Sequence, residues 1–305
     1  MESYRVLYEF YRDRLKNYFS PVFDPVRFKK YEEKFGSLID NLGKEGLPKK
    51  YRLQYYKDET IITLYTFITL DLLSSKIGQS ELWGALFERA FKDQEVKDRL
   101  RNEAAKGWSL KLEFSLEPDF LIKKSIKEWV DYHPHPIMYV KEHFEQSVKK
   151  NRIEDPTMVD AALVSNSDQK SFIACECKFM SDISSETTYH YARNQIARNL
   201  DVGLSTHGVN YYFILVTPKI FYKTGYKFYG YKMLEYMSGN VDAFKRDLIL
   251  QKNVDDEAIV NLSKRVGWVT WEDLVKKIFE FRTSASNIPF KELKEFYSER
   301  QLWTS

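Results

Sequence analysis

Two short apolar runs, Met158–Val164 and Phe172–Phe179, flank the polar segment Ser165-Asn-Ser-Asp-Gln-Lys170. Runs of this length bounded by turn-forming residues read as strands, and the polar segment joins them as a β-hairpin. On the second strand Phe172, Ala174, Glu176 and Lys178 share one face, while Ile173, Cys175, Cys177 and Phe179 share the other. Both faces are otherwise apolar, so the strand must be covered on both sides. Glu176 and Lys178 are then charges in a run that should hold none, about 6.6 Å apart on one side. Asp160 is the matching intruder in the first strand. A turn symmetric about Asp168 sets Asp160 opposite Glu176, with Cβ atoms about 5 Å apart. Carboxylates that close in a low-dielectric layer repel, and a divalent cation between them removes the repulsion; oxygen ligands of this kind suit Mg²⁺. Lys178 can orient a water or stabilise developing negative charge. A plain buried ion pair, or an exposed sheet edge, would use the same residues, and the spacing leaves both open.

The rest of the chain frames this hairpin. Tyr4, Leu7, Tyr8 and Tyr11 recur at helical spacing, as do Phe28, Tyr31 and Phe35, so residues 1–77 read as a mostly helical extension. An amphipathic helix spans Ser80–Phe91, with Ser80 placed to cap it. Trp108–Leu116 alternates strictly and predicts a strand, and residues 119–150 read as mainly helical around His133-Pro-His135-Pro136. A helix is expected from about Thr188 to Leu200, and a strand at Tyr211–Val216 stopped by Pro218. Gly267–Thr270 leads into a helix over 271–278, with Thr270 and Asp273 spaced as a capping box. The order predicts an α/β fold, a mixed central sheet flanked by helices on both faces, over 78–280, with a helical tail over 281–305.

The residues Asp155-Pro-Thr-Met-Val-Asp160 and Glu176-Cys-Lys178 resemble the motif of the PD-(D/E)XK nuclease superfamily, although Pro156 does not immediately precede Asp160. The resemblance implies a restriction-endonuclease-like core and phosphodiester hydrolysis, and it covers about residues 78–220, more loosely to 280. It implies that Asp160 and Glu176 bind Mg²⁺, or Mn²⁺ in its place, with the backbone carbonyl of Cys177 as a further ligand. Lys178 would position the nucleophilic water. Many members carry an acid on the helix before the sheet, and Glu88 in Gly84-Ala-Leu-Phe-Glu88 fits that place. Tyr191-Ala-Arg-Asn-Gln195-Ile-Ala-Arg198 resembles the helix that follows the catalytic strand, which implies phosphate contacts for Gln195 and Arg198. DNA is the implied partner, and a homodimer is compatible with it.

Other features narrow the field. Lys219, Lys223, Lys227 and Lys232 alternate with aromatic residues in an acid-free stretch, a pattern suited to phosphates and bases. Lys plus Arg is 47 against 44 Asp plus Glu, a net charge of +3 that is too mild to name a partner. The apolar run Ile61–Leu73 is short for a membrane span and contains Asp71, so no membrane association is expected. Cys175 and Cys177 cannot form a disulfide framework, which points to a reducing, cytoplasmic setting. No phosphate-binding loop, dinucleotide fingerprint or nucleophile elbow occurs, which argues against kinases, dehydrogenases and serine hydrolases. The resulting expectation is a metal-dependent endonuclease of restriction, defence or repair type. Its rival is a non-catalytic DNA-binding or scaffold protein that keeps the same fold.

Overall fold

The computed structural model describes residues 2–15, 17–18, 33, 59–132, 145–146, 156–185, 193–251, 254–285 and 287–303. In chain order they form α1 (Glu2–Leu15), α2 (Glu59–Ile77), α3 (Gln79–Ala90), α4 (Gln94–Ala104), β1 (Trp108–Leu116) and α5 (Phe120–Tyr132). The hairpin strands β2 (Thr157–Ser165) and β3 (Phe172–Cys177) come next, then α6 (Gln195–His207) and β4 (Tyr211–Thr217). The remainder is α7 (Phe228–Met237), α8 (Val241–Asp247), α9 (Asp256–Ser263), β5 (Val266–Thr270), α10 (Trp271–Glu280) and α11 (Phe290–Glu299). The repeat Phe28, Tyr31 and Phe35, the His133-Pro-His135-Pro136 break, Asp155 and Tyr191 lie outside the described residues.

One helix start differs from the sequence reading. Ser80 does not cap α3: Gly78 does so, at φ 107°, and no side chain bonds the first turn. Helix α6 begins at Gln195, capped by Asn194, whose side chain accepts from the Ala197 amide; the expected start near Thr188 lies outside the described residues. At β5 the expected cap is present. Thr270 Oγ1 accepts from the Asp273 amide at 3.1 Å, although the Asp273 carboxylate returns to the Thr270 hydroxyl instead of its amide.

The fold is α/β and mostly helical, around one mixed five-stranded sheet in the order β1-β2-β3-β4-β5. The β1/β2 and β2/β3 pairs are antiparallel, while β3/β4 and β4/β5 are parallel. A parallel neighbour requires a crossover, and α6 supplies it between β3 and β4. Alternate residues of β3 enter two apolar clusters. Ile173, Cys175 and Cys177 join residues of α1 to α4, α10 and α11, whereas Phe172 and Ala174 join residues of α5 to α9. Helix α2 is buried along most of its length inside the first cluster. It is also the described helix long and apolar enough to cross a membrane, and an all-round apolar surface equally fits a core helix. Its Asp71 accepts a hydrogen bond from the Tyr18 hydroxyl at 2.9 Å.

The strict alternation of β1 does not hold one face throughout. Leu110 and Leu112 enter the first cluster, but Phe114 and Leu116 enter the second. Partner residues follow: Ala161 opposes Leu112 and joins the first cluster, while Val159 opposes Phe114 and joins the second. Between them Glu113 has φ 47°, a left-handed conformation that rotates the strand and reverses its faces. Asp160 lies on β2 at this same crossing point.

The approach of α6 to the sheet is set by Gly203, where any added side-chain carbon would overlap the Tyr211 ring. Tyr211 cannot yield easily, because it is buried and its hydroxyl donates to the Asn199 carbonyl at 2.9 Å. Gly203→Ala is therefore expected to destabilise the protein by about 1–3 kcal/mol or more. Urea unfolding should show a lower midpoint, partly restored when Tyr211 is replaced by Leu. An unchanged midpoint for Gly203→Ala would contradict this packing.

Candidate active site

The hairpin register follows the expected symmetry, with Ala161 paired to Cys175 and Ala162 to Ala174. One step beyond, Asp160 Oδ2 accepts a hydrogen bond from the Cys177 amide at 2.7 Å. Glu176 is buried, and α6 satisfies it. Gln195 Nε2 donates to Oε1 at 2.6 Å and Asn199 Nδ2 donates to Oε2 at 2.9 Å. Gln195 and Asn199 are four apart and so share a helix face. Lys178 is buried as well, with Nζ 2.8 Å from Glu176 Oε1. Glu176 near the end of β3 and Lys178 just past it thus form a buried acid–ammonium pair.

A further acid reaches this end of the sheet from α2. Glu59 Oε2 accepts from the Phe179 amide at 2.9 Å and from Ser181 Oγ at 2.5 Å, while Oε1 lies 3.5 Å from Lys178 Nζ. Glu59 therefore fastens the chain directly after Lys178. The sequence reading passed over both Glu59 and Asn199. The available signals were an acid at the head of a nineteen-residue, mostly apolar helix and an amide four residues after Gln195.

Burial pushes the Asp160 carboxyl well above the usual carboxylate range, and the charges of Glu176 and Glu113 push it further; Lys178 and the Cys177 amide oppose this. The Glu176 carboxyl is also raised by burial, against the pull of Lys178 and Asn199, and Glu59 adds to the rise. Burial opposes the Lys178 ammonium, but Glu176, Glu59 and Asp160 outweigh it and keep the side chain charged. Three carboxylates, Glu176, Glu59 and Asp160, act on one ammonium. Cys175 and Cys177 are buried thiols raised by burial and by Asp160, which keeps them neutral and suits packing rather than nucleophilic attack.

The other sequence-derived candidates are distributed as follows. Glu88 is not brought to the hairpin acids: it pairs with Arg101 and lies 3.7 Å from Lys97 of α4. An acidic helix face has the same sequence pattern whether its partner is a metal or an arginine. Arg198 is half-buried on α6, with Nη2 3.5 Å from the Pro156 carbonyl. Lys219 and Lys223 are exposed, Lys227 is half-buried with Nζ donating to the Met180 carbonyl at 3.0 Å, and Lys232 is buried 2.7 Å from Asp247.

Comparisons with protein-family models, curated proteins and solved structures return no match. Among the described residues no group of three or more His, Cys, Asp and Glu side chains is arranged to hold a metal ion. A metal reading therefore rests on Asp160, Glu176 and backbone oxygen. Their raised carboxyls also carry a stability consequence. An acid whose folded pKa lies above its unfolded value favours folding below the unfolded pKa and loses that contribution as pH rises through the folded one. At neutral pH both acids thus penalise the fold. Asp160→Asn should raise the melting temperature at pH 7, by about 2–4 °C per kcal/mol relieved, and the gain should shrink toward pH 4. A lower melting temperature for the variant at pH 7, measured without divalent metal, would contradict this electrostatic picture.

Proposed function

We propose that the chain is a Mg²⁺-dependent nuclease that hydrolyses DNA phosphodiester bonds, built on a restriction-endonuclease-like core with helix layers on both sheet faces. The observation that carries this reading is the end of β3, where Asp160 meets the Cys177 amide, Lys178 meets Glu176, and three carboxylates outnumber one ammonium. A divalent cation suits that surplus of negative charge. The donor set also fits. The Cys177 amide takes one of about four acceptor sites on Asp160. In a strand the carbonyl of Cys177 leaves on the same side as its amide, which sets that oxygen toward Asp160.

Asp160, Glu176 and the Cys177 carbonyl would hold Mg²⁺ or Mn²⁺. The bound ion would polarise the scissile phosphate and lower the pKa of a coordinated water. Lys178 orients the attacking water and offsets charge on the phosphoryl oxygens as the P–O bond to the leaving oxygen breaks. Gln195 and Asn199 fix the Glu176 carboxylate, and Glu59 fixes the backbone that carries Lys178. DNA as partner, a restriction, defence or repair role and a homodimer as compatible assembly belong to this proposal. So does a cytoplasmic location, supported by two buried cysteines that form no disulfide.

Supercoiled and linear DNA incubated with Mg²⁺ or Mn²⁺ should be cut by the wild-type chain. Asp160→Asn and Lys178→Ala should each lower the rate by about 10³-fold or more, the scale of losing a central catalytic group. Glu88→Gln should cut like wild type, because its partners are Arg101 and Lys97. DNA binding without cutting under any metal would favour the non-catalytic reading, in which Glu176 and Lys178 are only a buried ion pair. Cutting that survives both site variants would refute the site.

A further inference from the structure

Strands β3 and β4 are parallel and end together: the Lys178 amide donates to the Val216 carbonyl at 2.8 Å, and the chain leaves β4 through Thr217 and Pro218. The segment that follows, 219–231, is fastened to residues just past Lys178. Lys227 Nζ donates to the Met180 carbonyl, and Asp182 accepts from the Phe228 and Tyr229 amides at 2.8 and 3.1 Å, capping α7. This surface therefore adjoins the proposed catalytic end of the sheet.

The fold sorts the rings of this segment into two sets. Tyr229 is buried and packs edge-on against Trp268, as Tyr222 does. Tyr226 is 83% exposed, Tyr231 52% and Ile220 71%, and Met180, whose carbonyl accepts from Lys227, is 47% exposed. The sequence from Lys219 to Leu234 contains no acid. Lys232 is taken up by Asp247 and Glu235, whereas Lys219 and Lys223 are exposed, Lys223 with Nζ 4.8 Å from the centre of the Tyr222 ring and Lys219 with its amide donating to Glu272 at 2.8 Å.

We propose that this surface binds an unpaired nucleic-acid strand and delivers it to the Lys178 end of β3; the proposal rests on the nuclease reading and narrows its substrate. Lysines neutralise phosphates of any nucleic acid, so they do not choose between strands. The exposed rings do. A duplex offers base edges in its grooves and keeps base faces stacked, whereas an unpaired strand offers faces to aromatic side chains. A protein partner fits less well, because protein interfaces are depleted in lysine.

The test uses the full-length Asp160→Asn chain, which the nuclease reading makes inactive, and a fluorescein-labelled twenty-base oligothymidine against a hairpin duplex of matching length. Fluorescence anisotropy in Mg²⁺ should show tighter binding of the single strand. Tyr226→Ala should weaken that binding by about 5- to 100-fold, the range for losing one stacked base, and leave the duplex unaffected. Lys223→Ala should weaken both ligands and flatten the salt dependence by about one counterion. Equal binding of the two ligands, insensitive to Tyr226→Ala, would overturn the proposal. So would binding of neither ligand, including the case in which Tyr226 instead supports self-association on a sizing column. Cleavage by the wild-type chain separates the two readings. Strand binding as described without any cutting leaves this surface intact and removes the nuclease. Cutting of single-stranded DNA at an unchanged rate by Tyr226→Ala keeps the nuclease and removes this proposal.

Discussion

A buried carboxylate at Glu176 is the constraint around which this molecule is organised. Taking an isolated carboxylate out of water costs several kcal/mol even after relaxation, so the fold must supply donors on every side. Gln195, Asn199 and Lys178 do so, and they come from two elements. The carboxylate is thus a tie between β3 and α6. Replacing it with an apolar residue would suit the surrounding core better, which makes its presence an argument for function rather than for stability.

The supporting structure follows from that tie. Helix α6 can offer both amides only because it lies close to the sheet, and Gly203 over Tyr211 sets the closeness. Its first turn is held from outside by a polar network. Asn194, which caps α6, donates to the Tyr236 hydroxyl at 2.8 Å, and that hydroxyl donates to Asp247 at 2.7 Å. Lys232 and Arg246 close the network on Asp247. Further along the helix, Asp201 accepts from the Ile249 amide at 2.7 Å and pairs with Arg193. From the other apolar cluster α2, buried along most of its length, brings Glu59 to the chain after Lys178. The reversal of strand faces at Glu113 occurs beside Asp160, and a strained non-glycine residue at such a point is a feature that sites preserve and cores remove.

Much of this was legible in the sequence where the cause is local. The hairpin and its register followed from two apolar runs and a turn of fixed length, and that register alone set Asp160 beside Glu176. Strands β1, β4 and β5 stand where alternation or apolar runs put them. Local signals failed where two causes leave the same trace. Glu88 and Glu59 are both helix acids, and only the packing shows that one meets Arg101 and the other the Lys178 loop, across 119 residues of sequence. The face reversal in β1 was invisible because glutamate carries no marked preference for the left-handed conformation. The cap of α6 at Asn194 was likewise not legible, because its capping role is decided by the Ala197 amide.

The central claim is that Asp160, Glu176 and the Cys177 carbonyl form one cation site. Anomalous diffraction from crystals grown with Mn²⁺ tests it most directly. The account predicts an anomalous peak within about 2.0–2.4 Å of oxygens from both carboxylates and the Cys177 carbonyl, the range for hard divalent cations, and no such peak in Asp160→Asn crystals. Density showing Glu176 still bound to Gln195, Asn199 and Lys178, with no peak at saturating Mn²⁺, would contradict it.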